Sequence, residues 1–306
     1  MPLSVEKSYS KGSYSVKILI LGSRGFIGSN LVTLFHQQGH LVKRLSSEEF
    51  MNNEILRVSL ENSDVIINCI GSANVGFSYT NTSEDFDSNV GVVRKVLEIL
   101  RQRKLNRLKF INLSSAAVYG NPNNLPVKER DQAHPISPYG FHKYMSELVL
   151  KEYSHCFGLK TLSLRIFSAY GNGQRKLLLW DLHQKILDSN GEISLFGTGN
   201  ESRDFIHIDD IFQQLMLAIS NANFKGEAIN IANGVEVKIK QVAELYKEHH
   251  PISFEYYFNG ENRVGDPLNW CADITRMKEW GYKQKVGIED GVENYISWLG
   301  GMKSDS

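Results

Sequence analysis

Val16–Asn30, VKILILGSRGFIGSN, limits what this chain can fold into more than any other stretch. The run Val16–Leu21 is rich in branched apolar residues and predicts a strand buried on both faces. Gly22, Gly25 and Gly28 follow at three-residue spacing, and a helical pattern starts at once with Phe26, Ile27, Leu31, Val32, Leu34 and Phe35. A strand that turns directly into a helix leaves free backbone N–H groups and the positive end of the helix dipole at the turn. Glycines there keep side chains from blocking an approaching pyrophosphate. The candidate cofactor contacts of this turn are Gly22, Arg24, Gly25, Phe26, Ile27 and Gly28. A tight turn without a ligand is the plainer reading, because three glycines alone also match by chance.

His40–Leu45 predicts the second strand. In a dinucleotide fold its end faces the adenosine ribose, where an acid binds the 2′-hydroxyl of NAD and basic residues accept a 2′-phosphate. Here the segment reads Lys43-Arg44-Leu45-Ser46, with no acid before Glu48, and Arg24 adds a guanidinium near the same place. Charge complementarity favours NADP(H), with NAD(H) as the alternative. Solvated surface charge is the competing reading of Lys43 and Arg44.

Strands and helices then alternate. Val65–Ile70 predicts a strand, and Ser83–Arg103 predicts one helix capped by Ser83. Lys109–Leu113 predicts a strand running into Ser114-Ser115-Ala116-Ala117-Val118-Tyr119-Gly120. After a loop over Asn121–Pro138 comes a helix over Tyr139–Phe157, started by Ser137-Pro138, and then a strand over Thr161–Phe167. This order means βαβ units and a parallel sheet. The expected fold is α/β, a Rossmann-type doubly wound sheet over 16–167 that also receives part of 205–235. A smaller, mostly C-terminal α/β substrate domain takes 168–204 and 236–300, with tails at 1–15 and 301–306.

The balance of 34 basic and 34 acidic residues argues against nucleic acid or an anionic membrane as the main partner. No apolar run approaches the ~20 residues of a membrane helix, and the polar N-terminus carries no apolar signal region. The three cysteines, Cys69, Cys156 and Cys271, form no Cys-x-x-Cys and predict buried free thiols in a reducing cytoplasm, with no metal site.

Of the 13 tyrosines only Tyr139 has lysine at i+4, Lys143, which puts both on one helix face. A nearby ammonium stabilises phenolate, so it lowers a tyrosine pKa and makes the phenol a usable acid/base. Ser114 and Ser115 leave the C-terminal edge of a strand, where open α/β sheets bind ligands. An ST-turn is the competing reading for one of the two.

Taken together the motifs resemble the extended short-chain dehydrogenase/reductase family, in its nucleotide-sugar epimerase/dehydratase/reductase branch. The resemblance covers about Val16–Leu299. It rests on Gly22-x-x-Gly25-x-x-Gly28, Ser114–Gly120, Tyr139-x-x-x-Lys143, Leu164-Arg165-Ile166-Phe167, Arg203–Asp210 and Arg263-Val264-Gly265-Asp266-Pro267. It implies that Tyr139 is the acid/base at the sugar C4 oxygen, that Lys143 lowers its pKa and holds the nicotinamide ribose, and that Ser115 bonds the same sugar oxygen. It also implies cofactor contacts at Asn89 and Ser114, and substrate contacts at Arg203, Arg263 and Asp266. Where family members often have Asn after Leu-Arg-x-Phe, this chain has Ser168, which puts that substrate contact in doubt. Family dehydratases carry an Asp-Glu pair where Ala116 and Ala117 stand, and alanine transfers no proton, which argues against 4,6-dehydration. A homodimer through a four-helix bundle of the Ser83–Arg103 and Tyr139–Phe157 helices is implied in the same way. The leading expectation is an NADPH-dependent reductase of a nucleotide-linked 4-keto sugar. The alternatives are a 4-epimerase with tightly held NAD and a dinucleotide sensor without turnover.

Overall fold

In the computed structural model, which describes residues 15–261 and 263–302, the glycine turn sits where two halves of a parallel sheet diverge. Of the expected tails, 1–14 and 303–306 lie outside the described residues. β1 (Lys17–Leu21) is buried from Ile18 onward and feeds α1 (Phe26–Gln37). β2 (Leu41–Arg44) is an exposed edge strand. Two short helices follow, α2 (Ser47–Met51) and α3 (Asn53–Glu61), each started by a polar cap. Ser46 and Glu49 form a reciprocal capping box, and Asn52 accepts from Glu54 and Ile55 N–H.

β3 (Val65–Asn68) is fully buried. The single helix expected over Ser83–Arg103 is broken into α4 (Val75–Thr80), α5 (Thr82–Phe86), a π-helical turn (Asp87–Gly91) and α6 (Val92–Gln102). Ser83 is not its cap: Asn81, at φ −128° and ψ 50°, interrupts the run one residue earlier than Thr82. The wide turn places Asn89, whose side-chain amide donates to the Asp85 carbonyl at 3.0 Å.

β4 (Lys109–Ser115) ends in a 3₁₀ turn over Ala116–Tyr119. α7 (Pro138–Phe157) starts as its sequence predicts, with Pro138 at the first position and the Ser137 hydroxyl accepting Gly140 N–H at 3.2 Å. It stops at Gly158, whose φ of 69° suits glycine. β5 (Lys160–Ile166) follows at once.

The second half adds β6 (Ser168–Tyr170), α8 (Leu177–Asp188), β7 (Glu192–Leu195), β8 (Ser202–Arg203), β9 (Phe205–His207), α9 (Ile208–Asn221) and β10 (Lys225–Ile231). Then come β11 (Val237–Lys238), α10 (Ile239–His249), β12 (Glu255–Phe258), α11 (Thr275–Glu279) and α12 (Ile288–Met302). β10 pairs in parallel with β5, so the main sheet runs β10-β5-β4-β3-β1-β2. The order reverses between β1 and β3, which opens a crevice at their C-terminal ends. α9 packs on α1, with Phe212 edge-on to Phe35 at 4.9 Å. The remaining elements form three two-stranded sheets and share a separate core that includes Leu179, Leu182, Ile193, Tyr246, Val292 and Tyr295.

All three cysteines are free, but none is buried as expected: Cys69 and Cys271 are half-buried, and Cys156 is exposed near the end of α7, where the helix turns its last residues to solvent. Among the described residues no helix is long and apolar enough to cross a membrane.

A methyl group at Gly28 would lie 2.3 Å from the Gly22 carbonyl oxygen, backbone against backbone. Gly28→Ala should therefore cost about 1–3 kcal/mol of stability, read as a lower midpoint in urea unfolding.

Candidate active site

The three glycines do different work. Gly22 turns at φ +76°, a conformation that penalises any side chain. Gly28 lets α1 close on the turn. Gly25 caps α1 with no side-chain hydrogen bond, and a Cβ there would meet only the Gly22 oxygen, at 3.5 Å. Space and free helix-start donors thus meet at the crevice, with no acidic residue in the first turn of α1. The cradle fits a dinucleotide pyrophosphate. Phe26 and Ile27 form the start of α1, half-buried. Arg24, Lys43 and Arg44 are exposed, and their side chains form no hydrogen bond or ion pair among the described residues. Arg44 lies in register with Ile20, near the end of β1.

Across the crevice, Tyr139 and Ser115 come together. Tyr139 is 7% exposed and its phenol lies beside Ser115, which acts to lower its pKa. The Ser115 oxygen also accepts Ala117 N–H at 3.1 Å, so the ST-turn belongs to Ser115 and coexists with its place beside Tyr139. Ser114 is turned away: its hydroxyl donates to Glu147 at 2.6 Å in the protein interior, which leaves it poorly placed to bind a cofactor.

Lys143 lies one turn along from Tyr139, with Nζ 5.8 Å from the phenol ring centre and donating to the Leu113 carbonyl at 2.9 Å. Here the electrostatics differ from the expectation. Burial pushes Tyr139 up to about 12, with the Ser115 bond pulling the other way and Asp85 adding to the rise. Burial brings Lys143 down to about 8, opposed most by the charge of Asp85 and less by Glu147. In this water-poor site desolvation outweighs the attraction between phenolate and ammonium. The expected lowering of Tyr139 by Lys143 is not realised in the unliganded protein.

Asn89 is 2% exposed and its Oδ1 has no partner. It lies against Gly71: a Cβ there would sit 2.4 Å from Asn89 Oδ1 and 3.0 Å from Lys143 Nζ. An unfilled buried acceptor beside an ammonium, at the crevice, is the kind of polar edge that a ribose hydroxyl would satisfy.

In the second half, Arg203 and Arg263 both lie near Asp266. Burial raises the Asp266 carboxyl, and the two guanidiniums oppose that rise. Arg203 packs its guanidinium over Trp270 at 5.6 Å and donates to the Ser202 and Leu268 carbonyls. Arg263 lies over Phe196 at 4.3 Å and bonds Asp181 at 3.1 Å, so a surface ion pair is part of its setting. Ser168 is held in β6 by its backbone N–H to the Asp204 carbonyl.

Sequence reasoning quoted Asp204 and Asp210 without a role. Each is buried and takes backbone N–H groups from distant segments: Asp204 from Asn233, Gly234 and Ala272, and Asp210 from Lys285 and Val286. They pin the C-terminal segments beside the crevice. It also missed the Glu147–Arg165 pair at 2.7 Å and the Asp85–His142 contact. A charged residue between the apolar Leu164 and Ile166 was the available signal for Arg165. No group of three or more His, Cys, Asp or Glu among the described residues could hold a metal.

The model of the NAD dependent epimerase/dehydratase family matches residues 18–232. A putative UDP-glucose 4-epimerase of Methanocaldococcus jannaschii is 29% identical, over 92% of this chain and 98% of that protein. Among solved structures, a UDP-glucose 4-epimerase of Thermotoga maritima with UDP-glucose superposes at a TM-score of 0.84 with 26% identity, covering 94% of this chain and 100% of the other. A UDP-glucuronic acid 4-epimerase of Bacillus cereus in complex with UDP-glucuronic acid and NAD also gives 0.84 and 26%, covering 94% and 99%.

The Lys143 value lies below its ordinary 10.5. The buried ammonium therefore opposes folding below about pH 8, and the opposition fades as pH rises toward 10.5. Lys143→Met should stabilise the free protein at pH 7 by about 1–3 kcal/mol, with the gain in Tm shrinking steadily above pH 8.

Proposed function

Because the chain belongs to the NAD-dependent epimerase/dehydratase family of enzymes, we propose that it carries out hydride chemistry at C4 of a nucleotide-diphosphate hexose, most directly as a UDP-sugar 4-epimerase. The observation that carries this reading is the meeting of Ser115, Tyr139 and Lys143 at the crevice that the glycine turn opens. NAD(P) bound in that cradle supplies the hydride acceptor and donor. The protein's own part is to hold the sugar oxygen and move its proton. As the phenolate, Tyr139 would take the proton from the C4 hydroxyl during oxidation and, as the phenol, return it during reduction. Ser115 donates to the same oxygen and steadies the charge that develops there. Lys143 offsets the charge on the Tyr139 oxygen and holds the nicotinamide ribose, with Asn89 as its neighbour. Arg203 and Arg263 suit the diphosphate, and Asp266 the nucleoside.

The substrate lies between the sheet domain (16–167 with 205–235) and the segments 168–204 and 236–300. The names borne by the relatives support epimerisation and a uridine nucleotide. Ala116 and Ala117 offer no acid for removal of water, which argues against dehydration.

One observation favours a second reading, NADPH-dependent reduction of a 4-keto sugar. Arg24, Lys43 and Arg44 gather unpaired positive charge where the adenosine ribose would lie, and no carboxylate ends β2. A 2′-phosphate matches that charge. An epimerase regenerates its cofactor in place and keeps it; a reductase exchanges it at every turnover. The dinucleotide released on denaturing freshly purified protein separates the two: stoichiometric NAD means epimerase, and little bound cofactor with strong preference for added NADPH means reductase.

A homodimer accompanies either reading. Phe141, Met145 and Leu148 lie at i, i+4 and i+7 on α7 and are exposed, with Phe86 alongside. A cytoplasmic setting suits the three free thiols.

Tyr139→Phe should lower turnover of the accepted sugar nucleotide at least about 100-fold while dinucleotide affinity changes little; full turnover in that variant would remove Tyr139 from the acid/base role. Phe141→Glu with Leu148→Glu should give a monomer in light scattering at concentrations where the unaltered chain is a dimer.

A further inference from the structure

The residue just before Lys143 has no part in the chemistry proposed so far. His142 is 6% exposed, and its Nδ1 lies 2.6 Å from Oδ2 of Asp85, which is 0% exposed. Phe86 covers the ring edge-on at 5.4 Å. The second carboxylate oxygen, Oδ1, is buried with no partner. A carboxyl group is seldom left half-satisfied in an interior unless a charge nearby makes use of it.

That charge is at hand. Asp85 ends the turn that leads into the π-helical segment, and its carbonyl takes the Asn89 amide. The other end of that amide, Asn89 Oδ1, lies with Lys143 Nζ against Gly71. Lys143 donates to Leu113 alone among the described residues, leaving two N–H groups. Asn89 thus bridges the Asp85 backbone and the Lys143 ammonium in one dry cluster, the Asp85 charge acts on Lys143, and His142 closes the carboxylate's outer side.

The other titratable groups that face this cluster are accounted for. From α7, Glu147 is bonded to Arg165 by two close contacts, and Tyr139 is neutral over the working range. From β3, burial pushes the Cys69 thiol up to about 12, so it too is neutral. Of the acids that oppose the lowering of Lys143, Asp85 acts most strongly, ahead of Glu147.

We infer that Asp85, held by His142, is the positioning charge that keeps Lys143 an ammonium inside the dry site. This rests on the reading of Lys143 as the residue that holds the nicotinamide ribose. Asp85 also faces the phenol, so its charge holds both members of the Tyr139–Lys143 pair in their protonated forms to higher pH. His142 fixes the carboxylate through its Nδ1 contact at 2.6 Å.

The test uses NADPH and NADH as probes, binding to the full chain between pH 6 and 10, so that no sugar substrate is needed. For the unaltered protein, affinity should fall as Lys143 loses its proton, near pH 8, and Lys143→Met should abolish that step. Asp85→Asn, nearly isosteric, should move the step at least half a pH unit toward acid. His142→Leu should do the same, and His142→Asn, which keeps an N–H donor near the Nδ1 position, should restore it. A step that stays in place in Asp85→Asn overturns the inference while leaving the Lys143 reading intact. Absence of any step that Lys143→Met removes overturns both. A purely structural role for Asp85 would lower Tm and affinity at every pH equally and leave the step unmoved.

Discussion

The placement of α7 depends on one buried ion pair. Arg165, near the C-terminal end of β5, meets Glu147 of α7 through both its Nε and Nη2, and also donates to the Tyr119 hydroxyl and the Glu129 carbonyl. Ser114 completes Glu147, and Asn230 of β10 accepts from Tyr119. A buried pair is weak evidence for stability, because desolvation costs nearly what the attraction returns. Its effect here is on register. Glu147 lies one turn beyond Lys143, so the bond to Arg165 fixes how far along the sheet α7 sits. Tyr139 and Lys143 are thereby set at the C-terminal edge of β4.

Around that edge the dominant force on protonation is removal of water. It raises Tyr139 and lowers Lys143, so that both tend toward neutrality in the free protein. In the proposed chemistry the pair works as acid and base against other polar groups: Ser115 beside the phenol, Asp85 acting on the ammonium, and the hydroxyls of a bound ribose and sugar. An unfilled Asn89 oxygen and an ammonium with spare N–H groups are what a site looks like when part of its hydrogen-bonding is reserved for ligand.

The substrate side is organised differently. Its helices and short sheets have a core of their own, and the segments that reach the crevice are loops. Buried carboxylates hold those loops: Asp204 takes the backbone N–H groups of Asn233, Gly234 and Ala272, and Tyr282 bonds Asn233 nearby. Arg203 is next in sequence to Asp204, and Trp270, under the Arg203 guanidinium, bonds the Gly120 carbonyl through its indole N–H. Loops tied to a rigid sheet in this way can differ in side chains without loss of the frame, which is why the sugar is harder to read than the fold.

Local signals carried the sheet. The glycine spacing, the apolar runs at Ile18–Leu21 and Val65–Ile67, and the Ser137-Pro138 start of α7 all act within a few residues, and each element forms where its sequence says. Tyr139 and Lys143 share a face for the same reason, since four residues are one helical turn. The broken helix at Asn81 and the π-helical turn at Asp87–Gly91 were not legible, because they answer to packing against α7 and the crevice. Nor was the fate of the two adjacent serines, since nothing in Ser114-Ser115 says which one faces Glu147. From its sequence alone the chain determined the cradle, the strand order class and the acid/base candidates, all of them short-range patterns. Tertiary structure alone decided the protonation balance of Tyr139 and Lys143, the orphaned oxygens of Asp85 and Asn89, and the convergence of Arg203, Arg263 and Asp266. Burial and field are sums over residues far apart in the chain, and no local pattern contains them.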